Sequence, residues 1–91
     1  MVILIMASTT NLDEILYISR RAALLGNEIN FLFIGEGSKL IDNYQFVDSI
    51  SFARLFVLKD DSKNSIKGVE SVDYYGWIKL IEFCDTIINW F

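Results

Sequence analysis

No histidine occurs in the chain. That absence removes Ser-His-Asp and Cys-His catalysis, and the commonest transition-metal ligand with them. Cys84 is the only cysteine, which excludes an internal disulfide framework and fits a reducing cytosol. Basic residues are few and scattered, eight Lys and Arg against twelve Asp and Glu for a formal net charge of −4. Such a chain has no electrostatic footprint for a phosphate backbone, and direct nucleic-acid binding is not expected. Glycine is sparse as well: Gly35-Glu36-Gly37 is a lone GxG without the third glycine of a dinucleotide-binding loop. Long hydrophobic runs are missing. Met1 to Ala7 is apolar but lacks a basic leader and is too short for a membrane span or a signal peptide, so a cytoplasmic protein with no membrane partner is expected. There is no internal repeat, low-complexity segment or linker.

What the chain has in surplus is apolar surface. Its 91 residues suffice for one domain, 1–91, with a radius of gyration of about 12 Å. A domain of this size buries only about 60 to 65% of the surface that its unfolded chain exposes. Hydrophobic residues nevertheless make up 53% of it and aromatics 14%, more than a free monomer readily covers, and oligomerisation follows as an expectation.

Val2 to Ala7 is a continuous run of branched apolar residues, the pattern of a central parallel strand covered on both faces. Ser8-Thr9-Thr10-Asn11 is loop, with Asn11 as the cap of the next helix and Glu14 in capping-box register. Leu12, Ile15, Leu16, Ser19, Ala22 and Ala23 share one face of that helix, and Gly26 closes it. Glu28 to Ile34 reads as the second strand. A helix follows from about Ser38 to Gln45 with Leu40, Ile41 and Tyr44 as its apolar contacts, then a third strand over Phe52 to Leu58 and a polar surface loop over Lys59 to Lys67. Val69 to Val72 gives a short fourth strand and Thr86 to Trp90 a fifth. Alternating strands and helices with apolar strand runs predict an α/β fold of three α/β/α layers, flavodoxin-like, with a mostly parallel sheet of four to five strands in the order 2-1-3-4-5. With so few helices one sheet face is thinly covered, and a partner is expected there.

The segment between the fourth and fifth strands is the most informative. At about 100° per residue, Tyr74, Trp77, Ile78, Ile81 and Cys84 fall together, with Leu80 and Phe83 extending the same side. The apolar arc is roughly 200° wide, where a helix lying on one core needs a stripe of about 100°. Part of it is therefore expected to meet a second surface. Tyr74, Trp77, Leu80, Phe83, Trp90 and Phe91 are the interface candidates, with core filling as the rival use of the two indoles.

Ligands of open α/β sheets sit beyond the carboxyl ends of the strands. That edge collects Ser8, Thr9 and Thr10, then Gly35 and Glu36, then Lys59, Asp60 and Asp61, a set able to hold a small anion and equally explained as turn residues and helix caps. Asp60 and Asp61 with Glu36 invite comparison with a Mg²⁺ site, but Ser8-Thr9 stands where such a site needs acids, and no metal or cofactor is expected. Cys84 is the one possible sulfur nucleophile. It ends a helix beside Asp85, where the dipole and the neighbouring charge both disfavour thiolate, and it reads as an inert thiol.

Val72-Asp73-Tyr74, then Gly76-Trp77, Leu80-Ile81-Glu82, Asp85 and Trp90 resemble the C-terminal signature of the DsrH/TusB family, within the DsrE-like superfamily of sulfur-relay proteins. Leu55 to Asp61 is similar to that family's strand ending in Leu, a variable residue and Asp, and Lys67-Gly68 stands where members often carry Arg-Gly. The opening departs from the pattern, with Ser8-Thr9-Thr10-Asn11 in place of a hydroxyl residue followed by proline. The resemblance implies a DsrE-like fold and a subunit that assembles with DsrE/TusD-like and DsrF/TusC-like partners to pass persulfide sulfur, toward tRNA 2-thiouridine in TusB-type systems or in sulfur oxidation in DsrH-type ones. The cysteines of such relatives follow the third strand or lie early in the first helix, and neither region holds one here. The implied role is therefore structural and non-catalytic. Self-association, a stand-alone small-ligand or anion-binding module, and a persulfide carrier through Cys84 are the alternatives.

Overall fold

The computed structural model describes residues 1–59 and 67–91. Five strands form one sheet: β1 (Val2–Ala7), β2 (Glu28–Phe33), β3 (Arg54–Leu58), β4 (Val69–Val72) and β5 (Thr86–Trp90). They run parallel in the order β4-β3-β2-β1-β5. Among the described residues three α-helices, α1 (Asp13–Leu24), α2 (Tyr44–Ser49) and α3 (Tyr74–Phe83), and a 3₁₀ helix at Gly35–Asp42 lie between strands, and the Cα radius of gyration is 11.9 Å.

The three-layer α/β/α arrangement is as expected; the strand order is not. The order 2-1-3-4-5 would leave β2 at an edge. Instead β2 lies between β1 and β3, and Ile29 to Phe33 are all buried. A five-residue run closed to water on both faces needs a neighbour on each side. The edges fall to the two strands that tolerate them, β4 with its exposed Glu70 and Ser71, and β5 with its alternating exposure.

This order decides which helix covers which face. From β1 to β4 each strand pairs with its predecessor and the chain advances in one direction; α3 then carries it back past the sheet to place β5 beside β1. Right-handed crossovers running in opposite directions lie on opposite faces. Accordingly Leu12 and Ile15 of α1, with Ile41 and Ile50, pack on Ile5, Ala7, Ile29, Phe31, Phe33, Leu55 and Val57. Trp77, Leu80 and Cys84 pack instead on Leu4, Leu32 and Phe56. The alternation of side chains along each strand thus divides the interior into a thick core and a thin one.

Several local expectations are corrected. Asn11 does not cap α1: Leu12 holds that position, no side chain caps the helix, and Asn11 N donates to Thr9 Oγ1 at 3.2 Å. Leu12 is itself buried, and drawing it into the thick core delays the helix by one residue. The second helix splits into the 3₁₀ segment and α2 because Asn43 Oδ1 accepts from Phe46 N at 3.2 Å and restarts the helix. Ile41 and Leu40 make the expected contacts, but Tyr44 is 80% exposed while Phe46 and Val47 pack inward. Phe52 lies in the turn before β3, exposed rather than part of the strand. Gly26 ends α1 as expected, at φ +95°, a conformation costly for any side chain.

Candidate functional site

Two regions were marked by the sequence, the carboxyl edge of the sheet and the α3 face. The first is occupied by its own backbone. Ser8 N donates to Trp90 O at 2.9 Å, and its Oγ reaches the same carbonyl at 3.4 Å. Thr9 Oγ1 accepts from Asn11 N. Thr10 and Lys59 are exposed. Glu36 pairs with Lys39 at 2.6 Å on an open surface, and Gly35 O accepts from Ser38 Oγ at 2.6 Å. Gly37 packs so tightly beneath the loop after β1 that an added Cβ would lie 2.1 Å from Ala7 O. Its lack of a side chain is explained by this approach. The edge thus brings Ser8 and Gly35-Glu36-Gly37 together around the end of β1, with Asp13 and Glu14 in the first turn of α1, where they oppose an anion. Asp60 and Asp61 lie outside the described residues, among which no group of three or more His, Cys, Asp or Glu is placed to hold a metal ion.

The second region is built on α3. Asp73 starts it, accepting from Gly76 N at 2.8 Å through its carboxylate. Gly76 fits there without a side chain, since a Cβ would stand 3.2 Å from Val72 Cβ. The inner stripe is Trp77, Leu80 and Cys84. Trp77 Nε1 donates to Met6 Sδ at 3.1 Å, so this indole serves the thin core. Yet no residue of α3 is buried, and Tyr74, Tyr75, Ile78, Ile81 and Phe83 are all exposed.

The interface candidates therefore divide. Tyr74, Phe83 and Phe91 are open to water, Phe91 at 90%. Trp77 and Leu80 lie half-buried against the sheet. Trp90 lies half-buried on the opposite face, its Nε1 donating to Asn11 O at 3.0 Å. Ile78 and Ile81 join the exposed set although the sequence reading left them out of it. The signal was their position on the flank of an over-wide arc, 40 to 100° round from Trp77 at about 100° per residue.

On its other flank α3 forms a groove with β3 and β4, about 330 Å³, lined by Phe56, Val72, Gly76, Leu80 and Phe83 with Arg54, Glu70 and Lys79. Arg54 lies over the Phe56 ring at 5.3 Å and Lys79 over Tyr75 at 4.9 Å, cation–π contacts that hold both charges against apolar surface.

Cys84 closes α3, half-buried among Leu4, Leu32 and Phe56. Burial first, then the carboxylates of Glu28 and Asp85, push its thiol above the ordinary value, the opposite of what a sulfur acceptor needs. Among the described residues no helix is long and apolar enough to cross a membrane.

No family model matches the chain, and no curated protein matches its sequence. Among solved structures it is similar to the crystal structure of the ychN protein from E. coli, with a TM-score of 0.66 at 12% identity, over 98% of this chain and 97% of that one. The likeness is one of fold, carried over nearly the whole of both chains.

Proposed function

We propose that the chain is a non-catalytic, DsrH/TusB-like subunit of a cytoplasmic sulfur-relay assembly, serving tRNA 2-thiouridine formation or sulfur oxidation. Its work is to dock onto DsrE/TusD-like and DsrF/TusC-like subunits that bear the reactive thiol. The observation that carries this reading is α3, a ten-residue helix with no buried residue and five large apolar or aromatic side chains in water. Fully covering one such side chain contributes about 1.5–3 kcal/mol, so a partner seated on α3 has ample driving force. Two further features support it. The residues that resemble the family signature, Val72-Asp73-Tyr74 through Trp90, fold into the end of β4, α3 and β5, the part of the molecule with the surplus. The lone thiol is held protonated against the sheet, which suits a scaffold rather than a carrier.

Co-expression of a tagged chain with DsrE-like and DsrF-like subunits from the same source tests the reading. Recovery of all three in fixed ratio is expected, with loss of the complex on combining Tyr74→Lys with Phe83→Lys. Sulfur transfer by the complex should be unchanged by Cys84→Ser. A tagged chain that elutes alone, or sulfur transfer that stops with Cys84→Ser, would overturn it.

A further inference from the structure

The groove between α3, β3 and β4 is apolar at its base and charged at its rim. Phe56, 3% exposed, lies at the base. Gly76, Lys79, Leu80 and Phe83, spaced i, i+3, i+4 and i+7, form one stripe of α3 and make one wall, with Val72 of β4 facing them. Its volume of about 330 Å³ falls at the lower end of the roughly 300–1,000 Å³ of small-molecule sites.

Three charges border it, Arg54, Glu70 and Lys79. The register Phe56↔Glu70 puts Arg54 and Glu70 on the same sheet face, one strand across and two residues along, about 8 Å apart at Cα. Two long side chains can meet over that distance, yet no ion pair joins them: among the described residues Lys39–Glu36 is the one such pair. The Arg54 guanidinium lies over the Phe56 ring at 5.3 Å instead, and Lys79 over Tyr75 at 4.9 Å. A cation and an anion are thus held apart on the rim of one apolar hollow. A ligand with a single charge is opposed by one of the two, and a polyanion is further disfavoured by the chain's net charge of −4. A zwitterion matches both and carries no net charge to be repelled.

We infer that the groove binds a free α-amino acid with a large apolar side chain, above all an aromatic one. Its carboxylate takes the guanidinium fork of Arg54, its ammonium takes the carboxylate of Glu70, and its side chain covers Phe56, Leu80 and Phe83. Lys79 gives the rim two cations against one anion, so of the two charged ends the carboxylate is the better held. This site does not rest on the relay reading. Phe83 borders both the groove and the proposed docking face, so the test uses the whole chain without partners.

Titration of the isotope-labelled chain with L-phenylalanine, followed by amide chemical shifts, is expected to give saturable shifts confined to β3, β4 and α3. The expected dissociation constant is about 1 mM or tighter. Phenylpropionate lacks the ammonium and phenethylamine the carboxylate; each should bind at least about tenfold more weakly. Glycine, with no side chain for the hollow, should not saturate. Arg54→Gln and Glu70→Gln should each weaken L-phenylalanine about tenfold, the dispersion of the amide spectrum showing that each variant is folded. A constant weaker than 1 mM, saturable shifts centred elsewhere, any of the three control compounds binding like L-phenylalanine, or a folded variant that binds it like the parent overturns the inference.

Discussion

The indole Nε1 of Trp90 donates to the backbone carbonyl of Asn11 across 3.0 Å, joining the end of β5 to the loop that follows β1. The same residue's carbonyl accepts from Ser8 N at 2.9 Å, so Trp90 fastens that loop by side chain and main chain together. Its ring meanwhile packs against the thick core. A residue that the sequence offers as a docking anchor is thereby committed to the fold.

Trp90→Phe keeps the packing and removes the donor, and the expected loss is about 1 kcal/mol. Trp90→Ala removes both, for about 2–3 kcal/mol. Urea denaturation of the two variants beside the parent checks the difference, and equal losses would mean that the indole N–H contributes nothing.

Asp73→Ala deletes the cap of α3, which should cost about 1 kcal/mol and lower the melting temperature by about 4–8 °C. Asp73→Ser should restore most of it. Differential scanning calorimetry reads both.

Gly37→Ala drives a methyl group to 2.1 Å from Ala7 O, a backbone atom that cannot swing aside. A loss of about 2–3 kcal/mol is expected. Gly26→Ala meets no atom and suffers only its φ of +95°, so its loss should be smaller, about 1–2 kcal/mol. A reversal of that ranking in chemical denaturation would contradict the close approach.

With its folded value raised, the Cys84 thiol keeps its proton to higher pH in the native state than in the unfolded one. The native state therefore binds more protons as pH climbs through the ordinary thiol range, and the contribution present below that range is lost above it. Iodoacetamide should label the native protein more slowly than the unfolded chain near neutral pH. The decline of stability at alkaline pH should be shallower in Cys84→Ser. Rapid native labelling would contradict both.

Much of the fold is legible in the residue pattern, and the reasons differ by element. Val2 to Ala7 and Ile29 to Phe33 reveal themselves because strands covered on both faces are apolar almost throughout, the exception being Asn30, whose amide donates to Ile3 O. α3 and its surplus are visible in one wide arc. Strand order is not, because an apolar run reports burial without naming its neighbours; only the bareness of β4 and β5 relative to β2 hints at which strands end the sheet. Asn11 has the chemistry of a cap, yet the burial of Leu12 decides where α1 begins. At the strand-end loops, Ser8 and Thr9 are potential ligand groups by type, and the bonds that engage them run to Trp90, some eighty residues away, and to Asn11. A contact across that sequence distance leaves no local mark.

Asp85 and Val2 are bonded twice, N–H to carbonyl and N–H to carboxylate, each at 2.8 Å. Through that clamp β1 depends on β5, a strand entered from Asp85, 83 residues further along the chain than Val2. While the ribosome is still adding residues 73–90, β1 has only β2 beside it, and its remaining side offers a bare hydrogen-bonding row to any nascent neighbour. The sheet closes only when β5 reaches β1, and until then that row is a site for mispairing.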